Sequence, residues 1–400
     1  MPSLLIKNIG EFFTGDIARP QAQVGALLVR EGRIAALDPP EPIEADCVLD
    51  AGGSAVMPGL IDGHIHPVLG EWTPTQDTQG WIGNYVHGGT TTMISACELH
   101  VPGLDYENLT PELVTSLAVV TASTTGRVRW SGAKVHAGTV ILVPGMTEQH
   151  FDRLKAVGAI LAKFIFYPLA GPRDEALRYV RWCHERGIKV KIHTGGVSRS
   201  GVSQICGYDV LAWLQPDIAA HVSGGPIPMS DSDLDAVVDH TSFWLEICSS
   251  GNYGSTVRAV RRLADKGQLA RLTLGTDTPG GTGVIPRGML RNLLLLCSVC
   301  GLTPGEAIAI ATGNTARAHG LDVGVLAVGA PADIVICGPV EGSTGTSVSD
   351  AIAHSDLPGI AYVIADGEIV VSGRSRQTPP PKRKLFFSCC DVHAGQFAAS

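Results

Sequence analysis

The stretch Asp62-Gly63-His64-Ile65-His66 carries the strongest chemical signal in this chain. Residues two apart on a β-strand point to one face, so His64 and His66 would stand side by side. Paired imidazoles repel each other when protonated and suit a divalent metal when neutral. Two hydrogen-bonded core histidines would look the same, so the pair alone leaves both readings open. Four further residues tilt the balance, because each lies in or at the end of a separate apolar run. Lys163 sits inside Ile160-Leu161-Ala162-Lys163-Phe164-Ile165-Phe166-Tyr167, where an ammonium is costly to bury. It must snorkel to the rim, find a partner, lose its proton or be modified. Carboxylation by CO₂ would make it N6-carboxylysine, an anion able to bridge two metals. His193 ends Lys189-Val190-Lys191-Ile192-His193, and His221 ends Ile218-Ala219-Ala220-His221. The pairs Gly195-Gly196 and Gly224-Gly225 follow them and let loops approach a ligand closely. Asp277 ends Leu272-Thr273-Leu274-Gly275-Thr276-Asp277. It could ligate a metal and take a proton from water, or merely cap the next turn. Together these six suit one or two borderline divalent ions, Zn²⁺, Fe²⁺ or Mn²⁺, with Asp277 as the catalytic base. His100, His136, Arg199 and Arg287 are candidate substrate-binding residues near strand ends. Arg287 could hold a carboxylate bidentately, or be a surface arginine.

These residues need a scaffold that converges strand ends. Eight strand-like runs, Ile61–His66, Thr91–Ala96, Lys134–Leu142, Ala162–Tyr167, Lys189–His193, Ile218–Val222, Phe243–Cys248 and Leu272–Asp277, alternate with helix-like stretches such as Asp174–Arg186 and Asp231–His240. The pattern predicts an α/β fold, a (β/α)₈ TIM-type barrel over residues 58–321, whose C-terminal strand ends carry the chemistry. A doubly wound sheet fits less well, since no Gly-rich dinucleotide fingerprint opens a helix. Residues 1–57 and 322–375 read as short strands and hairpins that join in a small β-sandwich. Residues 376–400, rich in Pro and basic residues at first, read as a tail.

Bulk composition narrows the function. A formal net charge of −8 argues against nucleic acid or an anionic membrane as partner. No apolar run approaches the ~20 residues of a membrane span, and the first residues lack a secretory pattern. The expectation is a cytoplasmic protein. Its ten scattered cysteines are then expected to be reduced core residues, Cys297 and Cys300 among them, although those two form a C-x-x-C.

The chain resembles the amidohydrolase superfamily. The likeness rests on His64-Ile65-His66 after Met57-Pro58-Gly59-Leu60-Ile61-Asp62, on Lys163, His193, His221 and Asp277, and on Gly329-Ala330-Pro331-Ala332-Asp333 downstream. Within it, Gly88-Gly89-Thr90-Thr91-Thr92, His193-Thr194-Gly195-Gly196, His221-Val222-Ser223-Gly224-Gly225 and Gly281-Thr282-Gly283-Val284-Ile285-Pro286 resemble the enamidases. This resemblance implies a hydrolase opening a small cyclic enamide or lactam, a zinc–iron centre and a homotetramer. The fourth strand departs from it: the enamidases carry a glutamate there, whereas Ala162-Lys163-Phe164 resembles the carboxylated-lysine strand of hydantoinases and dihydroorotases. A cyclic-imide hydrolase is therefore the alternative. A mononuclear deaminase fits poorly, since those enzymes usually carry His-x-x-Glu after the fifth strand, and here His193 is followed by Thr194-Gly195-Gly196. A non-catalytic assembly protein on the same scaffold would not need the full ligand set.

Overall fold

The structure, a computed structural model, describes the chain except residues 68–74, 98–100, 102, 128, 130, 172, 199–200, 226 and 390–400. Eight parallel strands form the barrel: Leu60–Ile65, Thr90–Ser95, Lys134–His136 continued by Val140–Ile141, Leu161–Phe164, Lys189–His193, Ile218–Ala220, Trp244–Cys248 and Leu272–Gly275. Each pairs with the next in chain order. The ring closes between first and eighth, where His66 N donates to Thr278 O at 2.7 Å and Asp277 N to His64 O at 2.8 Å. The sequence read the third strand as one run over Lys134–Leu142. It is broken, because Gly138 takes φ +95°, a conformation that costs other residues energy. Its first half pairs with the second strand and its second half with the fourth.

Two antiparallel-rich sheets make the sandwich. One orders Phe386–Cys389, Cys47–Asp50, Leu4–Lys7, Ala26–Arg30 and Arg33–Leu37. The other orders Glu368–Val371, Gly359–Ala365, Ile334–Gly338, Ala55–Pro58, Glu11–Phe13 and Gln21–Ala22. Strand alternation explains why this second sheet is buried on both faces. Ile334 and Ile336 pack into the sandwich core, while Val335 and Cys337 face the barrel core.

Two expectations are corrected here. Part of the stretch read as a tail, Phe386–Cys389, is a strand paired antiparallel with Cys47–Asp50. That register puts Cys389 opposite Cys47, with Cα atoms 4.1 Å apart, and the two form a disulfide rather than free thiols. Cys183, Cys206, Cys248, Cys297, Cys300 and Cys337 are buried free thiols, and Cys97 is buried as well. Among the described residues, no helix is long and apolar enough to cross a membrane.

Candidate active site

Four imidazoles, one lysine and one carboxylate meet at the C-terminal end of the barrel. His64 and His66 leave the first strand with ring centroids 5.0 Å apart. His221 lies 5.3 Å from His64, and His193 4.6 Å from His221. Lys163 Nζ is 3.1 Å from His64 Nε2. Asp277 Oδ1 accepts from His66 Nε2 at 2.8 Å and lies 3.6 Å from His64 Nε2. All six side chains are buried.

Backbone geometry aims two of them. His221 has φ +37° and Asp277 φ +63°, a left-handed region that costs a non-glycine residue roughly 1–2 kcal/mol. Hydrogen bonds hold these turns: Gly281 N donates to Asp277 O at 2.8 Å, and Val222 N to Glu246 O at 2.8 Å. Asp62 fixes the base of the first strand, accepting from Thr276 N at 2.9 Å and from its hydroxyl at 2.6 Å.

Burial sets the protonation states. It pushes His193 down to about 4 and His221 down to about 3, and His64 well below the usual imidazole range, with Lys163 adding to each effect. These rings are neutral nitrogen donors at pH 7. Burial also lowers Lys163, favouring the uncharged amine whose lone pair can attack CO₂. For Asp277 burial is the largest single influence and opposes the charge, but the hydrogen bond from His66 and the electrostatic pull of His64, His66 and His221 together outweigh it and hold the carboxyl well below its usual range.

Other candidates fall elsewhere. His136 is half-buried in the third strand; after burial, the groups acting on it are Lys134 and Arg129, not any of the six. Arg287 is exposed at the start of the helix Gly288–Ser298. His100 and Arg199 lie outside the described residues. Sequence reading passed over a second layer. Glu246 Oε1 is 2.6 Å from His64 Nδ1, its Oε2 2.6 Å from Lys191 Nζ, and Cys97 Sγ is 3.0 Å from His66 Nδ1. The signal for Glu246 was its position as the lone charge in Trp244-Leu245-Glu246-Ile247-Cys248.

Comparison with known proteins accords with this geometry. The amidohydrolase family model matches residues 168–370. Enamidase of Eubacterium barkeri is 40% identical over 387 residues, covering 96% of this chain and 99% of its own. The chain belongs to the amidohydrolase family. The crystal structure of enamidase, described as a new member of the amidohydrolase superfamily, superposes with a TM-score of 0.87 at 38% identity, covering 96% of this chain and 100% of its own. An imidazolonepropionase of Salinispora arenicola is 26% identical over 369 residues, 84% of this chain and 92% of its own. As an amidohydrolase the protein is a hydrolase of amide carbon–nitrogen bonds that uses a divalent metal. The residues present fit such an ion. His221 Nδ1 is fully buried without a hydrogen-bond partner, an arrangement costly unless a ligand satisfies it. The ligand atoms of His64, His66 and Asp277 also lie within 4.8 Å of one another.

Proposed function

We propose that this amidohydrolase opens a small cyclic amide, a cyclic enamide or lactam, at a centre held by His64, His66, Lys163, His193, His221 and Asp277. The observation that carries the reading is the buried convergence of His66 and three neutral imidazoles, His64, His193 and His221, with an ionised carboxylate and a depressed lysine. Near-full-length likeness to enamidase supports the ring chemistry. One or two ions, zinc with iron or manganese as candidates, suit this nitrogen and oxygen set. Lys163 as N6-carboxylysine would add a bridging anion. A bound ion would supply a more acidic water and a polarised carbonyl.

The protein's own groups do the rest. Asp277 faces the ligand cluster and is ionised, so it can accept the proton of the attacking water. The water oxygen bonds to the ring carbonyl carbon, the ring carbon–nitrogen bond breaks, and Asp277 returns the proton to the departing nitrogen. From an enamide this gives an enamine, which tautomerises and loses ammonia to water. The buried strand ends exclude bulk water from the carboxylate and rings. We place the enzyme in the cytoplasm as a homo-oligomer, a tetramer by likeness.

A substrate panel tests this. A cyclic enamide, a hydantoin and a dihydropyrimidine are offered to protein purified without chelator, with metal content measured in parallel. Ring opening of the enamide is expected, with at least one ion per chain. Preference for the hydantoin would favour the cyclic-imide reading. Less than about half an ion per chain and no turnover would leave only a scaffold.

A further inference from the structure

Behind the ligand cluster lies a buried layer of charge. Lys191 and His193 share a face of the fifth strand by the period-two rule. Glu246 enters from the seventh strand and His64 from the first. All three of Lys191, Glu246 and His64 have 0% exposure. Lys191 Nζ donates to Gly63 O at 2.8 Å and to Glu246 Oε2 at 2.6 Å. Glu246 Oε1 meets His64 Nδ1 at 2.6 Å and Cys248 Sγ at 3.7 Å. His64 Nε2 points the other way, toward Lys163 Nζ and Asp277.

We propose that the buried Glu246–Lys191 pair is a positioning device: it fixes His64 with its proton on Nδ1 and leaves the Nε2 lone pair for the metal. This rests on the metal centre of the proposed function. Lysine has only donors, and a carboxylate paired with it only accepts. The proton between Glu246 Oε1 and His64 Nδ1 therefore belongs to the ring. Lys191 also grips the carbonyl of Gly63, the residue before His64, so one ammonium registers both the carboxylate and the strand that carries the ring. A ligand histidine whose second nitrogen is held this way binds its ion about 10–100-fold more tightly than one that is not.

The geometry makes an unusual demand on Glu246→Gln. Lys191 can only donate, so it takes the amide oxygen. The amide NH₂ then faces Nδ1, which must become an acceptor, and the ring proton moves to Nε2. Adding Lys191→Met frees the amide to turn and offer its oxygen to Nδ1 again. The double variant is thus expected to bind metal better than the single one.

The test is zinc affinity of the metal-free full chain, read by competition with a chromophoric chelator. Thermal melting of the same metal-free samples reports folding separately. E246Q is expected to bind zinc about 10–100-fold more weakly than the parent, and the double variant to recover most of that loss. E246Q binding within about twofold of the parent, or a double variant no better than the single, overturns the proposal. If E246Q does not fold, ¹⁵N resonances of histidine-labelled, metal-free parent protein decide, with His64 assigned by its loss in His64→Gln. Nδ1–H is expected, and a proton on Nε2 overturns the proposal. A parent chain that binds no zinc sinks the metal centre instead, while the ¹⁵N result still reads the tautomer.

Discussion

A buried imidazole that must stay neutral is a liability in acid. In the unfolded chain His193 and His221 take up protons near 6.5, but in the fold only near 4 and 3. His64, His136 and His319 shift the same way. Between those limits the unfolded state binds more protons, so stability falls as pH falls from about 6.5 to 4. Asp62 has the opposite sign. Burial raises it to about 7, so the folded state holds its proton above 3.8 and gains stability on acidification. Six lowered histidines, His87 among them, outnumber the two raised carboxylic acids, Asp62 and Asp333, and the one raised histidine, His354, and decide the balance. Each shift of two units is worth on the order of 3 kcal/mol. Urea midpoints of the metal-free protein should therefore drop between pH 6.5 and 4, and a flat profile would refute these neutral rings. At the same scale, Asp277→Ala should cut kcat/KM by about 10²–10⁴-fold with the fold kept, as melting would show. Lys163→Ala should lose activity that a short carboxylic acid with metal partly restores. Wild-type turnover in either variant would remove that residue from the chemistry. These side chains were readable because each interrupts an apolar run. Glu246 interrupts one too, but its partners are 182 and 55 residues away in sequence, and no spacing rule joins a charge to partners at such distances.

Elements transmit position to those residues. The turn after the eighth strand is packed so closely that a Cβ on Gly281 would collide with the Asp277 carboxylate. Gly281 is itself exposed and takes no left-handed φ, so the backbone tolerates alanine there. Gly281→Ala should leave the melting temperature unchanged and move the carboxylate, lowering kcat by on the order of 10²-fold. Unaltered kcat would mean that Asp277 does not need this placement. All eight barrel strands were visible from sequence, since strands buried on both faces read as unbroken apolar runs. The short strands Glu11–Phe13 and Gln21–Ala22 were not. Two or three residues carry too little alternation to register, and only pairing defines them, Glu11–Phe13 with Ala55–Pro58 and Gln21–Ala22 with Glu11–Phe13. The strand Phe386–Cys389 escaped for a similar reason: it is half exposed, and its partner lies at the other end of the chain.

At the scale of the molecule, the barrel and sandwich share one sheet and one charge cluster. Lys134, from the third barrel strand, reaches Asp333 at 2.5 Å and Asp366 at 2.8 Å in the sandwich. Lys134 and Asp333 are buried, and Asp333 also accepts from Asp366 N at 2.9 Å. Removing the lysine strands a carboxylate where water cannot reach it, at a cost of about 3–5 kcal/mol. Burial already raises Asp333, even with the lysine present. Lys134→Met should therefore lower the denaturation midpoint sharply. Adding Asp333→Asn should recover part of the loss, because an amide needs no counter-charge and its oxygen can still accept from Asp366 N. If instead the double variant is as unstable as the single one, Lys134 acts through packing of its stem, and the joint between the two units rests on the shared sheet alone. That sheet presents Val335 and Cys337 to one core and Ile334 and Ile336 to the other. Both variants should accordingly melt in a single transition, since neither core can be exposed without opening a strand that walls the other.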